Sequence, residues 1–246
     1  MKDNYDKYWE TAPLWMSRKD AITKEELSIF RKYLKDGTKC LDYGCGDADR
    51  YPRYLVSLGV NYTGYDISQV AVAKAQANGF QAELFQTDNS IGCDAQTYDA
   101  AICLEVFEHL MEPDIALRDM HLALKLGGIL ITSVPNAAFW THRLEFLLTG
   151  FFNPGGSLLT ARKAPWRDPH IRFFNPGSFR RFVRSCGFQV VEFRAEGFNL
   201  RSMPLVHRTP VLARFFHAIS WPVRFLGFIC PSLFSPRIFI VARKPA

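Results

Sequence analysis

Short apolar runs bounded by Gly, Asp, Asn or Pro recur along the chain, with helical stretches between them. The runs KCLDYG (Lys39–Gly44), VNYTGYD (Val60–Asp66), FQAELFQ (Phe80–Gln86), YDAAICL (Tyr98–Leu104) and ILITSVP (Ile129–Pro135) predict five strands. Arg50–Leu58 reads as a helix closed by Gly59, and Ser68 opens an alanine-rich helix that stops near Asn78 and Gly79. Pro113 stands at the first turn of a third helix, running to Gly127 and Gly128. Ahead of this alternation, Thr23 and Glu26 have capping-box spacing for a helix from about Lys24 to Lys35, ended by Gly37. Residues 1–20, with Tyr5, Tyr8, Trp9 and Trp15 among charges, read as an arm that packs onto the domain. Strands and helices alternating in this way imply right-handed crossovers and a mostly parallel sheet.

After Pro135 the pattern loosens. Residues 137–149 suit a helix, and 150–170 are rich in Gly, Pro and Arg. Asn175 or Ser178 opens a short amphipathic helix on Phe179, Phe182 and Val183 that ends at Gly187. FQVVEFRA (Phe188–Ala195) and RIFIVAR (Arg237–Arg243) are two late strands. Between them, 197–235 is rich in Pro, Arg and aromatics, with partial helix expected over 210–229.

Composition narrows the class. With 246 residues, 48% of them hydrophobic and 22% charged, the chain suits one large α/β domain, with or without an insertion. The first residues are charged and carry no apolar leader, and the six cysteines contain no C-x-x-C pair. The expectation is a reduced, cytoplasmic protein without structural zinc. The net charge of +6 is split unevenly: residues 1–149 carry 15 Lys and Arg against 21 Asp and Glu, and residues 150–246 carry 15 against 3. An acidic half suits a cationic ligand, and a basic half suits an anionic or amphiphilic one. The apolar stretch 210–229 is broken by Arg214, His217, Pro222 and Arg224, which argues against a membrane span. Peripheral contact with a membrane surface through 205–234 stays open, as does packing in a lid or a dimer; monomer and homodimer are both expected states.

The strongest chemical signal is LDYGCGDADR (Leu41–Arg50), where the first strand turns into its crossover helix. Gly44 and Gly46 allow a sharp bend and close approach of a ligand. A dinucleotide fingerprint wants a third small residue three positions on; Asp49 stands there, with Asp47 before it. Two carboxylates would repel a diphosphate, which counts against a nicotinamide-dependent dehydrogenase and favours a ligand that is positively charged. Asp66 ends the second strand, Asp88 and Asn89 follow the third, and Glu105 closes the fourth. All lie at strand carboxyl ends, the edge at which open α/β sheets bind ligands.

These residues resemble the class I S-adenosylmethionine-dependent methyltransferases, in particular a ubiquinone-pathway O-methyltransferase-like subgroup. The likeness runs from about Thr38 to Gly187, through LEVFEHL (Leu104–Leu110) and LKLGGILITSVPN (Leu124–Asn136). It implies a Rossmann-like, seven-stranded, mostly parallel sheet with an antiparallel last strand and helices on both faces. Residues 1–36 would form an arm and helix over the cofactor site, with Tyr8, Trp9 and Arg18 able to close on it. Residues 37–246 would form the methyltransferase domain, with 137–175 and 197–235 as lid or insertion segments on the acceptor side. By the same resemblance, Asp42, Gly44, Cys45 and Gly46 would cradle the methionine part of S-adenosylmethionine, Asp66 the ribose and Asp88 the adenine. Ile67, Asn89 and Leu104 complete the expected cofactor set.

The string E-x-x-E-H (Glu105, Glu108, His109) is similar to one in ubiquinone-pathway catechol O-methyltransferases and small-RNA 2′-O-methyltransferases. There it contributes ligands for a divalent metal such as Mg that lowers the acceptor's pKa. The resemblance implies Glu105, Glu108, His109 and His170 as metal ligands. His109, His170 or Glu105 acting directly in catalysis is the alternative. Arg162, Lys163, Arg167 and Arg172 form a basic cluster fit for a phosphate or carboxylate on the acceptor. The expected activity is methyl transfer to a hydroxyl of a small molecule: a sugar, a quinone precursor, or a lipid-linked or anionic intermediate. RNA 2′-O-methylation, for which no separate RNA-binding module is visible, and non-catalytic binding of S-adenosylmethionine are the other readings.

Overall fold

The computed structural model describes residues 2–11, 22–86, 92–152, 169–196 and 229–246, with side chains from Tyr5 onward. Seven strands form one sheet in the order β3-β2-β1-β4-β5-β7-β6. They are β1 (Lys39–Tyr43), β2 (Asn61–Asp66), β3 (Ala82–Leu84), β4 (Tyr98–Leu104), β5 (Leu124–Pro135), β6 (Gln189–Ala195) and β7 (Arg237–Arg243). The first five are parallel, and β7 lies antiparallel between β5 and β6. The helices are α1 (Lys2–Thr11), α2 (Lys24–Tyr33), α3 (Pro52–Ser57), α4 (Gln69–Ala77), α5 (Pro113–Ala123), α6 (Trp140–Thr149), α7 (Pro176–Ser185) and α8 (Pro231–Phe234).

Strand alternation divides the core between the two faces of the sheet. Along β1, Cys40 joins Ile29, Phe30 and Leu34 around α2 and Leu55 of α3. Leu41 and Tyr43 point the other way, to Leu117 and Met120 of α5 and Phe179 and Val183 of α7. Both faces are therefore covered, as a parallel sheet requires. Burying a side chain such as Phe30 or Phe179 contributes about 1.5–3 kcal/mol.

The predicted caps form. Thr23 and Glu26 make a reciprocal capping box on α2, Ser68 accepts from the Ala71 N–H on α4, and Asn175 caps α7 with Ser178. Asn175, not Ser178, is the cap, because Pro176 takes the first helical position, where no N–H is needed.

Several boundaries differ from the sequence expectation, two of them with a clear cause. The third strand is three residues long, because as an edge strand it pairs only with Gly64–Asp66 of β2. The helix expected to reach Gly127 ends at Ala123. There Lys244 Nζ donates to the carbonyls of His121 and Leu124, and Leu124 already pairs with Tyr98. Gly127, with φ 76, lies instead within β5. Of the segment 197–235, only 229–235 belongs to the described residues, so the helix expected over 210–229 lies outside them except for its last residue. Among the described residues no helix is long and apolar enough to cross a membrane.

Candidate active site

The strand order reverses direction between β1 and β4, and the crevice at that switch point is where open sheets of this kind take ligands. The glycine bend leaves β1 there. Gly44, Gly46 and Ala48 all have left-handed φ, at 78, 56 and 54. A Cβ on Gly44 would lie 2.7 Å from Val106 Cγ2, so the bend packs directly on the residue that follows Glu105. The bend is tied to β2 by Asp66, whose Oδ2 accepts from the Gly46 N–H and Oδ1 from the Ser68 N–H, each at 2.9 Å. Burial raises the Asp66 carboxyl and these backbone donors oppose the rise. Its remaining lone pairs can still accept from ribose hydroxyls.

Two residues of the expected methionine cradle face elsewhere. Asp42 is fully buried, with Oδ1 accepting from Tyr51 at 2.8 Å and Oδ2 from Tyr62 at 2.7 Å. Its carboxyl, pushed up to about 6 by burial, fastens α3 and β2 to β1 and does not line the crevice. Cys45 turns toward β2, where a Cβ on Gly64 would come within 2.6 Å of its Sγ; burial holds the thiol far above its usual range. Gly44 and Gly46 are left to shape the crevice. Ile67 is half-buried beside Asp66, and Leu104 is buried at the end of β4. Asp88 and Asn89 lie outside the described residues, as do Arg18, Arg162, Lys163 and Arg167.

The arm is the helix α1, docked across this crevice. Asp6 Oδ1 accepts from Ser68 Oγ at 2.5 Å and from the Val70 N–H at 3.4 Å, at the N-terminus of α4. Lys74 Nζ donates to the Trp9 carbonyl. Trp9 lies on Gly46, its ring 2.6 Å from where a Cβ would stand, while Tyr8 is exposed. Tyr5, one helical turn before Trp9, feels the carboxylates of Asp66 and Glu108, which together with burial raise its phenol. Sequence reading placed Tyr5 in the arm without a role in the site and missed Asp6, since nothing local separates that acid from other polar residues of an arm.

Beyond β4, a single 3₁₀ turn (Phe107–His109) sets out a second group of titratable side chains. Phe107 anchors it in the core against Phe179 and Phe182. The N–H groups of Ile171 and Arg172 donate to the Glu108 carbonyl at 2.8 and 3.1 Å, which carries His170 to His109. The two imidazoles face each other with centroids 4.6 Å apart. His109 Nδ1 is 3.1 Å from the Pro169 carbonyl, an acceptor only, so Nδ1 carries the proton and Nε2 turns toward Glu108 Oε1 at 3.8 Å. Ligand atoms of Glu108, His109 and His170 lie within 4.8 Å of one another. Glu108 is buried, and among the described residues neither of its carboxyl oxygens has a hydrogen-bond partner. Burial and the neighbouring Glu105 raise its carboxyl well above the usual range.

Glu105, expected in both the metal and the catalytic set, is not in this cluster. It accepts from Ser133 Oγ at 2.8 Å, and burial raises its carboxyl against the electrostatic pull of the Arg237 guanidinium. The half-buried Arg172 donates to the Met111 carbonyl.

Comparison with known proteins agrees with this fold. Residues 15–193 match the family described as "Methyltransferase domain". The ubiquinone biosynthesis O-methyltransferase of Burkholderia pseudomallei is 23% identical over 169 residues, covering 66% of this chain and 69% of that protein. A SAM-dependent methyltransferase from Archaeoglobus fulgidus superposes with a TM-score of 0.59 at 16% identity, covering 98% of this chain and 99% of the other. Haemonchus contortus phosphoethanolamine N-methyltransferase 2, solved with S-adenosyl-L-methionine, gives 0.60 at 15% identity over 90% of this chain and 52% of its own. At such identities the structural likeness speaks for the fold alone. The family match, spanning most of the chain, places this protein among the methyltransferase-domain proteins, and it is an S-adenosylmethionine-dependent methyltransferase.

Proposed function

We propose that the chain transfers the methyl group of S-adenosylmethionine to a hydroxyl of a small-molecule acceptor. The cofactor would occupy the crevice between the glycine bend and β4, with Gly44 and Gly46 against its methionine part and Asp66 on its ribose. Leu104 and Ile67 would line it, and Asp88 and Asn89 would read the adenine. The observation that carries the O-methylation reading is the Glu108–His109–His170 cluster directly beyond β4. An amine can be methylated from its free lone pair, whereas a hydroxyl must lose its proton, and this cluster offers groups for that task. The name of the Burkholderia relative supports the same acceptor atom.

The sulfonium already carries a good leaving group, so the protein's main work is alignment of donor methyl and acceptor oxygen. His109, fixed by the Pro169 carbonyl, presents Nε2 to take the hydroxyl proton, and His170 stands beside it. Glu108, buried and without a hydrogen bond to its carboxyl among the described residues, can accept one from the acceptor or share the proton. The same donor set fits a divalent cation, since an orphaned carboxyl and two imidazoles are hard and borderline ligands in one place. Glu108, His109 and His170 would hold it, and its chemistry would be to lower the pKa of the acceptor hydroxyl.

The half of the chain from residue 150 onward, with 15 Lys and Arg against 3 acids, favours an anionic or amphiphilic acceptor: a sugar, a quinone precursor or a lipid-linked intermediate. Contact with a membrane surface fits the same charge. The test is calorimetric titration with S-adenosylhomocysteine, then a labelled-methyl screen of hydroxyl compounds, amines and RNA with and without a chelator. Transfer to hydroxyl compounds is expected. Labelling of amines or RNA alone overturns the reading, and turnover unchanged by the chelator removes the metal from it.

A further inference from the structure

The helix α6 is turned inside out. An amphipathic helix on a folded domain ordinarily presents its apolar stripe to the core and its polar residues to water. In α6 no side chain is buried. Thr141, His142, Glu145 and Thr149 fall on its half-buried face, and a carboxyl oxygen of Glu145 is buried there without a hydrogen-bond partner among the described residues. Leu144, Leu147 and Leu148 lie on the other face, 43%, 79% and 72% exposed. Their spacing, continued by the exposed Phe151, is that of the seam by which one helix packs on another.

Both ends of the helix hold it in this orientation. Arg143 Nε donates to the Ala138 carbonyl at 2.6 Å, and its Nη2 lies 3.4 Å from Ser232 Oγ. Gly150, with φ 71, closes the other end by donating to the Phe146 carbonyl at 2.8 Å. A row of rings then extends the apolar surface: Phe146 on Phe152 and Phe152 on Phe173, with centroids 6.0 and 5.3 Å apart. Each of these rings is about half exposed. Taking about 200 Å² for a bare large side chain, stripe and row together present roughly 700 Å² to solvent. The largest apolar patch of a typical monomer is about 300–600 Å². One side of a standard protein interface is about 800 Å².

We propose that this surface is the interface of a homodimer, with the α6 of a second copy laid against it across a two-fold axis. Such a contact is self-complementary, so one stripe of leucines serves both sides and is removed from water in each copy. A lipid surface would need free Lys or Arg around the stripe to meet its headgroups. Arg143 is the one Lys or Arg of α6, and it is engaged by Ala138 and Ser232, which favours protein as the occupant. Phe173 stands three residues after His170, so the second copy would lie beside the segment that carries that imidazole. The pairing does not depend on which cofactor or acceptor the crevice takes.

The experiment is sedimentation velocity on the intact chain over a rising concentration series, with circular dichroism to confirm that each variant folds. The wild type should form a dimer with a dissociation constant of about 1 µM or below. Leu147→Ser combined with Leu148→Ser changes two exposed positions and should weaken the dimer by about a hundredfold or more. Leu122→Ser, at a comparably exposed leucine of α5, should leave it unchanged. A wild type that stays monomeric up to about 0.1 mM overturns the proposal. So does a dimer that the double variant does not weaken, or that Leu122→Ser weakens equally. If the double variant does not fold, Leu147→Lys, at the most exposed of these positions, takes its place with the same expected loss. Phosphatidylglycerol vesicles check the other occupant. A monomer that sediments with them through Leu147 and Leu148 would make the surface a lipid contact and overturn the dimer.

Discussion

Tyr62 donates its phenol proton to Asp42 Oδ2 at 2.7 Å, and with that bond the first acid of the glycine motif is turned away from the ligand crevice. Tyr51 takes the other oxygen at 2.8 Å. The carboxyl joins β1, β2 and the start of α3, so it fixes the shape of the bend without touching what the bend holds. Glu105, with a φ of 58 that is costly for a residue with a Cβ, is a second case, its carboxyl taken up by Ser133 Oγ.

Asp42 makes stability depend on pH. Its folded pKa, about 6, lies above the ordinary 3.8, so the native state holds its proton over a range where the unfolded chain has released it. Stability from this group therefore falls as pH rises from about 4 to about 6 and is level above that. Asp42→Asn should remove that slope, as measured by urea unfolding at pH 4.5 to 7 (about half-unit steps). A slope identical to wild type would show that Asp42 is not the source. Tyr62→Phe leaves one buried carboxyl oxygen unpaired and should cost about 1–3 kcal/mol.

Gly44 and Gly79 separate backbone strain from ligand contact. Both are left-handed, with φ 78 and 88, but a Cβ on Gly79 meets nothing within 4 Å, whereas one on Gly44 meets Val106. Gly79→Ala should cost about 1 kcal/mol of stability and leave S-adenosylhomocysteine affinity unchanged. Gly44→Ala should cost more and weaken binding by about tenfold or more. Equal affinity in the two variants would place the cofactor elsewhere.

Trp9 lies on Gly46 and can report on the crevice from the outside. Saturation with S-adenosylhomocysteine should shift the tryptophan emission of the wild type, and Trp9→Phe should abolish most of the shift. Trp9→Ala should also weaken binding, by about fivefold for the loss of about 1 kcal/mol of aromatic contact. A shift that survives in Trp9→Phe would mean that α1 does not sense the ligand.

His109 is the residue to remove in order to test proton abstraction. His109→Asn retains a donor toward the Pro169 carbonyl but has no basic nitrogen at the Nε2 position. Turnover on a hydroxyl acceptor should fall by about 10²–10⁴-fold while S-adenosylhomocysteine binds as before. Unaltered turnover would assign the proton to another group.

What could be read from the chain in advance was whatever is local. Apolar runs, caps and left-handed glycines act over a few residues, so Thr23, Ser68, Gly44 and Gly46 declared themselves by spacing. The parallel sheet followed from the alternation of strands and helices. The acids at the strand ends were expected along one edge of the sheet, because the carboxyl ends of parallel strands all open on one side.

Only the tertiary structure decided where each of those acids points. Asp42 and Asp66 both end or nearly end a strand, yet one is spent on two tyrosines and the other on the amides of Gly46 and Ser68. The E-x-x-E-H string divides in the same way: Glu108 and His109 meet His170, while Glu105 is drawn to Ser133 and Arg237. Arg237 comes from the last strand, so no spacing rule links it to a residue at position 105. Orientation of a buried charge is set by whichever partner lies nearest after the chain has folded, and for Glu105 that is Ser133, brought alongside only by the pairing of β4 with β5.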